Sequence, residues 1–308
     1  MISLIEILKN VIKEGGNVFN NTEYDTQNID KNNIAPTIKK FTEDLGKIFP
    51  NKRSSLNSLN DINNWLGSTG RKPQSGDVDL AYSSEHFFKN GKIDVEGWGV
   101  SKNEYNQLYE KYKKSSRTAT DEQIQIRALL DTIVNKINSY KINNANLDII
   151  ASNKATNGGT IHFSYPQYTT TGEKLNSRTQ LDIDTGDMDW LKFRYNSELP
   201  EDNPQIKGLH RGQLMLAMFA ATGYTFKSGK GFIRKNTGDV IADKPQGALE
   251  TFNQEYQPPQ PLTLEIINNY DKLMDYIKNN LKIEDQTKTL DLFKEALKRA
   301  GAYVPDNI

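Results

Sequence analysis

Two aspartates that could bind a metal ion lie close together at positions 77 and 79. Each is followed by an apolar residue, and this alternation is typical of a half-buried β-strand. Side chains two residues apart on a strand point to the same face, so we expect Asp77 and Asp79 together on one face. Neighbouring carboxylates repel each other unless a cation lies between them. Because Mg²⁺ prefers oxygen ligands and leaves room for phosphates, the pattern predicts a metal-dependent site for a nucleoside triphosphate.

A third carboxylate that could join this pair is Asp182. It lies in the segment Thr179-Gln-Leu-Asp-Ile183, a strand-like context with apolar residues on both sides. An apolar pair followed by Gly67-Ser68 also precedes the two aspartates, across a short gap rich in turn-forming residues. An Asp-x-Asp or a Gly-Ser pair alone is common. The more specific signal is the order of the three motifs along the chain: the Gly-Ser pair, then the two aspartates, then Asp182.

In the order of these parts the chain resembles the DNA polymerase β-like nucleotidyltransferase superfamily, over roughly residues 35–195. That family has an apolar-Gly-Gly/Ser motif, a gap, an Asp/Glu-apolar-Asp/Glu motif and a later apolar-Asp/Glu-apolar motif. The chain is most similar to phage-encoded proteins assigned to this group, because the segments 187–193 and 207–211 also look alike. The resemblance implies an α+β fold in which helices pack on a mixed or antiparallel sheet.

The resemblance further implies an enzyme that transfers a nucleoside monophosphate from an NTP, such as ATP, to a hydroxyl group and releases pyrophosphate. The acceptor would be an RNA 3′ end, a protein or a small molecule. Asp77, Asp79 and Asp182 would be the catalytic ligands of two Mg²⁺ ions, or of Mn²⁺. Asp184 competes for the third position because it would share the strand face of Asp182. Asp182 is preferred because it fits the apolar-Asp-apolar motif.

The same resemblance assigns nucleotide binding to the loop before the aspartates. Gly67 and Ser68 would hold the triphosphate, since glycine allows backbone N–H groups to approach phosphates closely. Arg71 and Lys72 lie in the gap and would offset phosphate charge as pyrophosphate leaves. An exposed turn explains this basic pair equally well.

Other basic residues could contact the nucleotide or a nucleic acid. Arg178 would share the strand face of Asp182, so substrate contact and an ion pair with that carboxylate are both open. Arg211 lies at the start of a helix, where it could bind an anion or pair with a structural carboxylate. The basic, Gly-rich hairpin at 227–235 fits RNA binding and an ordinary surface equally well.

The composition excludes several other kinds of site. The chain of 308 residues has no cysteine, so it has no disulfide and no thiolate metal site. Its three histidines are scattered, and His86 and His162 are interpreted as structural. The zero net charge argues against a surface that binds polyanions as a whole.

The sequence gives no sign of membrane contact or export. No apolar stretch reaches the ~20 residues of a membrane helix, and the N-terminus does not resemble an export signal. We therefore expect a cytoplasmic protein, in the host cytoplasm if it is phage-encoded.

The elements that must position these residues fall into three expected regions. Residues 1–34 form an N-terminal helix and loop, residues 35–198 the catalytic domain, and residues 199–308 a mainly helical region with a small β-hairpin. Besides the strand at 77–80, strands are expected at 145–151, 160–165 and 178–184, and helices at 35–48, after Ser101, and at 120–140, 189–196, 208–221, 263–281 and 285–300.

Two other functions remain open. A synthase of cyclic or linear oligonucleotide signals would use the same fold and the same carboxylates. A nucleic-acid-binding or assembly protein would keep the fold without the chemistry, but such proteins usually lose a metal carboxylate, and all three are present here. The sequence does not determine which NTP is used or the oligomeric state.

Overall fold

The computed structural model describes residues 18–116, 119–143, 147–154, 156–200, 203, 205–227, 231–306 and 308. The fold is mixed α+β, as expected, and the chain divides into two compact units between Met188 and Asp189. The N-terminal unit here means the described residues up to Met188, and the C-terminal unit those from Asp189 onwards. The helix expected at the N-terminus, before Gly15, lies outside the described residues.

The division comes earlier than the boundary at 198 that the sequence suggested. Helix Met188–Tyr195 begins at the last residue of the N-terminal unit. Its side chains Trp190 and Phe193 belong to the hydrophobic core of the C-terminal unit, so this helix packs with the residues that follow it.

The N-terminal unit consists of small strands, one four-stranded sheet and packed helices. Its elements are β1 (Ile29–Asp30), α1 (Lys31–Ile48), α2 (Arg53–Leu56), β2 (Gln74–Ser75), β3 (Asp77–Ser83), β4 (Phe88–Lys89), β5 (Lys92–Ile93), α3 (Lys102–Ser115), α4 (Asp121–Asn143), β6 (Ile150–Ser152), β7 (Thr160–Tyr168) and β8 (Lys174–Gly186). The strand expected at 145–151 is described from residue 147 onwards, and of residues 147–151 only Ile150 and Ala151 pair within the sheet.

The four-stranded sheet is mixed, in the order β3-β8-β7-β6. Strand β3 runs parallel to β8, whereas β8 and β7, and β7 and β6, are antiparallel. Asp79 lies opposite Asp182 on the neighbouring strand, and Asp182 lies opposite His162 on the next. One row of cross-strand neighbours therefore joins three polar side chains.

The opposite face of the sheet forms the core of this unit. Phe163 and Tyr165 of β7 contact Phe41 of α1 edge to face, with ring centroids 5.0 and 5.3 Å apart. Val78 and Leu80 of β3 are completely buried in the same core. Because side chains alternate along each strand, these apolar contacts leave the polar residues of β3, β7 and β8 on the other face.

The helix starts follow their capping residues. Helix α1 begins at Lys31 rather than at residue 35, because the Asp30 side chain accepts a hydrogen bond from the backbone N–H of Asn32 and caps the helix there. The expected cap of α3 is confirmed, since Ser101 accepts from the backbone N–H of Glu104. Helix α4 begins at Asp121, one residue after the start of the expected segment 120–140, and ends at Asn143.

The C-terminal unit is mainly helical with one antiparallel hairpin. Its elements are α5 (Met188–Tyr195), α6 (Gly208–Ala221), β9 (Tyr224–Lys227), β10 (Gly231–Arg234), α7 (Pro245–Tyr256), α8 (Leu264–Asn268), α9 (Tyr270–Asn280) and α10 (Ile283–Arg299). The helix at 208–221 and the pairing of β9 with β10 are confirmed, while the sequence did not predict α7. Residues 228–230 of the hairpin lie outside the described residues.

One expected helix of this unit is divided in two. The segment 263–281 breaks at Asn269, which is extended and whose side chain accepts from the backbone N–H of Lys272. Thr263 caps the first half in the same way. No helix in the described ranges is long and apolar enough to cross a membrane.

Candidate metal centre

Three carboxylates converge on the polar face of the sheet, as the sequence predicted. Asp77 and Asp79 come from β3 and Asp182 from β8, and one oxygen of each lies within 4.8 Å of the other two. The parallel pairing produces this arrangement, since it places Asp79 opposite Asp182 and Asp77 opposite Gln180. Within the described part of the chain this is the one group of three or more His, Cys, Asp or Glu side chains able to hold a metal ion.

The cluster rests on buried apolar side chains and differs in exposure from one carboxylate to the next. The completely buried side chains of Val78 and Leu80 fix the part of β3 that carries the two aspartates. Asp182 is 6% exposed, whereas Asp77 and Asp79 are half-buried. The two aspartates of β3 therefore keep part of their surface in contact with solvent.

The electrostatics of the cluster favour a cation. Burial, and after it the negative charge of Asp182, raise the pKa of Asp77 to about 6, against smaller opposing effects of the Asp77 backbone and of His162. The structure thus shows the mutual repulsion expected of carboxylates in one site. A donor set made only of carboxylate oxygens suits a hard divalent cation, so the residues present fit such an ion.

Asp184, the competitor for the third position, does not join the cluster. It lies two residues after Asp182 on β8, opposite Ala81 and Thr160. Its Oδ1 accepts a hydrogen bond from the Thr160 hydroxyl at 2.6 Å. The structure therefore brings Asp182, the residue preferred from the sequence, together with Asp77 and Asp79.

The loop before β3 is fastened to the strand at the level of Asp79. The backbone N–H of Leu66 donates to the Asp79 carbonyl, and the Asp79 N–H donates to the Thr69 hydroxyl, both at 2.9 Å. Trp65 forms an isolated antiparallel bridge to Leu80, one further contact between the loop and β3.

Gly67 lies directly against the cluster. Its φ of +57° is in the left-handed region, and a Cβ atom here would lie 2.9 Å from Asp79 Oδ2. In the described part of the chain, the backbone N–H groups of Gly67 and Ser68 donate no hydrogen bond. Two amide donors beside a carboxylate cluster are suited to a phosphate that also contacts a bound cation.

The two basic residues of the loop, Arg71 and Lys72, are both exposed. The Arg71 backbone N–H donates to the Ser68 carbonyl at 3.0 Å, which places it at the end of a turn beginning at Ser68. Both interpretations of this pair, a phosphate contact and an ordinary turn, require exposed side chains, so the exposure fits either one.

Arg178 has a different partner from the one considered from the sequence. Its guanidinium forms an ion pair with Asp148 at 2.6 Å and donates to the carbonyl and hydroxyl of Ser164. Arg178 lies four residues before Asp182 on the same face of β8, with Gln180 between them. Its ion pair is with Asp148 rather than with Asp182. These contacts fix its side chain as a structural link between β8, β7 and the segment before β6.

Arg211 lies in the protein interior, although the sequence suggested that it could bind an anion at the start of a helix. The residue is completely buried in the C-terminal unit, and burial lowers its pKa to about 10. Its guanidinium donates to the carbonyls of Ile267 and Arg194 and to the side-chain oxygen of Asn268. These acceptors, all within the described residues, are uncharged, and no surface of Arg211 is left for a nucleotide.

Two polar residues beside Asp182 were not assigned to the site from the sequence. His162 Nδ1 lies 2.8 Å from Asp182 Oδ1, and Gln180 Nε2 donates to Asp182 Oδ2 at 3.0 Å. The alternation of side chains in the hairpin of β7 and β8 could have placed His162 on the face of Asp182. Spacing along the chain, the criterion applied to the histidines, does not reveal such a cross-strand contact.

Comparison of the chain with models of protein families, with curated protein sequences and with solved structures found no match. The fold and the site by themselves define an α+β protein with a carboxylate cluster that can bind a metal ion.

Proposed function

We propose that this protein is a Mg²⁺-dependent nucleotidyltransferase of the DNA polymerase β-like type. It would transfer a nucleoside monophosphate from an NTP to a hydroxyl group. The observation that carries this proposal is the convergence of Asp77, Asp79 and Asp182 within 4.8 Å, from two parallel strands. The position of Gly67, against Asp79 Oδ2, supports it.

The three carboxylates would hold the metal. A Mg²⁺ ion held by these residues would supply positive charge that offsets the negative charge developing during the transfer. Mn²⁺ would serve as well, because carboxylate ligands suit both ions. The half-buried Asp77 and Asp79 would face the triphosphate, and the buried Asp182 would complete the ligand set on the acceptor side.

The loop would bind the triphosphate of the donor. The N–H groups of Gly67 and Ser68 would donate to its terminal phosphates, and Arg71 and Lys72 would offset their charge from the exposed side of the turn. In the transfer step the acceptor oxygen forms a bond to the α-phosphorus while the bond to the β-phosphate breaks. Pyrophosphate leaves, and the proton of the acceptor hydroxyl passes to water.

A labelling assay tests this proposal. Each labelled NTP is incubated with the protein, Mg²⁺ or Mn²⁺, and total RNA or cell lysate, and the labelled product is sized. The wild-type chain should label RNA, protein or a small molecule, and Asp77→Asn should abolish labelling. Asp184→Asn is the matched control, because Asp184 lies on the same face outside the cluster and its replacement should leave labelling intact.

The outcomes distinguish the alternatives. A phosphatase-resistant product made from NTPs alone would indicate an oligonucleotide synthase. Labelling that survives in a folded Asp77→Asn variant would contradict the assignment of the site. An absence of labelled product with every NTP and acceptor would favour a binding or assembly protein.

A further inference from the structure

Asp182 occupies the middle of a polar row that crosses three strands. Asp79 of β3 lies opposite it on one side and His162 of β7 on the other. It is also the most buried of the three carboxylates, with 6% of its surface exposed. A buried carboxylate needs hydrogen-bond donors, because its charge is costly in a protein interior without them.

Both oxygens of Asp182 have such a donor. His162 Nδ1 lies 2.8 Å from Oδ1, and Gln180 Nε2 donates to Oδ2 at 3.0 Å. An ionised carboxylate only accepts hydrogen bonds, so the proton of a neutral His162 lies on Nδ1. Each carboxylate oxygen has two lone pairs, and one donor per oxygen leaves a lone pair for a cation.

Gln180 is itself held in place. Its side-chain oxygen accepts from the backbone N–H of Val18 at 2.8 Å, which orients the amide so that its nitrogen faces Asp182. Gln180 is 2% exposed and His162 6% exposed. Both donors are thus fixed by their surroundings before any ion binds.

We propose that His162 and Gln180 are positioning residues of the metal site. They hold the Asp182 carboxylate in the orientation that binds the cation, against the repulsion of Asp77 and Asp79. This inference rests on the proposed metal-binding function and adds two residues to it. Donors behind a metal ligand typically change metal affinity by about 10- to 100-fold when they are removed.

The same strand provides a matched comparison. Thr160, two residues before His162, donates to Asp184, a buried carboxylate outside the cluster. Thr160→Val removes a buried donor to a carboxylate on the same face of the sheet. A purely structural effect would appear in both variants, whereas an effect on the metal site would appear only at His162.

The experiment measures the dissociation constant of Mn²⁺ for the full chain, by electron paramagnetic resonance of the free ion. His162→Phe keeps a ring of similar shape without the donor and should weaken Mn²⁺ binding by about 10-fold or more. His162→Asn can place an amide N–H near the position of Nδ1 and should restore most of the affinity. Thr160→Val should bind Mn²⁺ like the wild-type chain.

Gln180→Leu provides an independent test through the other oxygen of Asp182. It should also weaken Mn²⁺ binding about 10-fold, so the proposal remains testable if His162→Phe does not fold. In the labelling assay, both variants should regain turnover at raised Mg²⁺ concentration, which loss of a merely structural contact would not produce.

The results separate two kinds of failure. If the wild-type chain and Asp182→Asn bind Mn²⁺ equally weakly, the metal site itself is wrong. If the wild-type chain binds Mn²⁺, Asp182→Asn does not, and folded His162→Phe and Gln180→Leu bind like the wild type, the positioning roles are wrong and the metal site stands.

Discussion

At the scale of single residues, Asp77 shows the cost of keeping carboxylates together. Its pKa is raised to about 6 from an ordinary value of 3.8, by burial first and then by the charge of Asp182. At low pH the carboxyl is protonated in both the folded and the unfolded chain, so its raised pKa does not lower the stability of the protein there. As the pH rises from about 4 to 6, ionisation of Asp77 lowers the free energy of unfolding, because the unfolded chain ionises more readily.

This penalty predicts that Asp77→Asn stabilises the protein when no metal is bound. In the presence of a chelator at pH 7, the variant should gain roughly 3 kcal/mol in free energy of unfolding, the order expected for a shift of about two pKa units. Urea unfolding at pH 7 and at pH 4 checks this. The gain should shrink toward pH 4, and an Asp77→Asn chain that is less stable than the wild type at pH 7 would contradict it.

The same pKa predicts how metal binding depends on pH. Only the ionised form of Asp77 binds a cation, so affinity should be constant above pH 7 and fall below pH 6. At pH 5 about one-tenth of the Asp77 side chains are ionised, which should weaken Mn²⁺ binding about 10-fold relative to pH 7.5. Titrations of Mn²⁺ across this range provide the measurement, and an affinity independent of pH would contradict the raised pKa of Asp77.

At the scale of elements, the loop before β3 and the strand act as one unit. Hydrogen bonds from Leu66 and to Thr69 tie the loop to the backbone of Asp79. Gly67 allows the close approach, because any Cβ there would contact the Asp79 carboxylate. The position of the loop therefore determines the position of Asp79, one of the proposed metal ligands.

Gly67→Ala should consequently disturb the metal site as well as the backbone. Alanine at a φ of +57° costs about 1–2 kcal/mol, and its Cβ, 2.9 Å from Asp79 Oδ2, would displace that carboxylate. We expect Mn²⁺ binding to weaken about 10-fold. The control is Gly172→Ala, which has a φ of +82° and no atom within 4 Å of the added Cβ.

Both variants should lose similar stability in a urea titration, but only Gly67→Ala should lose Mn²⁺ affinity. Equal Mn²⁺ affinity of the two variants would show that Asp79 adapts to the added methyl group. The loop would then not determine the position of the ligand.

Local patterns predicted individual elements better than their pairing. The alternation in 77–80 and the apolar run in 208–221 each correspond to one element of the structure. The parallel pairing of β3 with β8 joins segments far apart in the chain, and no local pattern specifies which strands become neighbours. Asp182 was assigned through the family resemblance, and the structure supplies the register that local patterns lack.

His162 illustrates the limit of the sequence most clearly. Counting outward from the turn between β7 and β8, where Tyr168 pairs with Lys174, would place His162 opposite Gln180. An irregularity between Pro166 and Tyr168 shifts the pairing, so that His162 lies opposite Asp182. Such a bulge depends on packing around the strands, and its position was not apparent from the residues alone.

At the scale of the whole molecule, each unit has its own hydrophobic core. The core residues of the N-terminal unit lie between Ile29 and Ile183, and those of the C-terminal unit between Trp190 and Leu297. All three carboxylates, the loop at Gly67 and the donors of Asp182 belong to the N-terminal unit. The residues of the proposed metal site therefore all lie in one unit.

This organisation predicts that residues 17–188 fold and bind metal without the rest of the chain. A domain of this length can bury enough apolar surface to be stable, and none of its metal ligands is removed by the truncation. We expect a cooperative unfolding transition and an Mn²⁺ dissociation constant within about threefold of the full chain, since the full set of protein ligands is retained. The same fragment carrying Asp182→Asn should fold and lose Mn²⁺ binding. A folded fragment that binds Mn²⁺ much more weakly than the full chain would contradict this prediction. It would show that residues outside the fragment contribute to the metal site, and those residues would then be candidates for binding the acceptor as well.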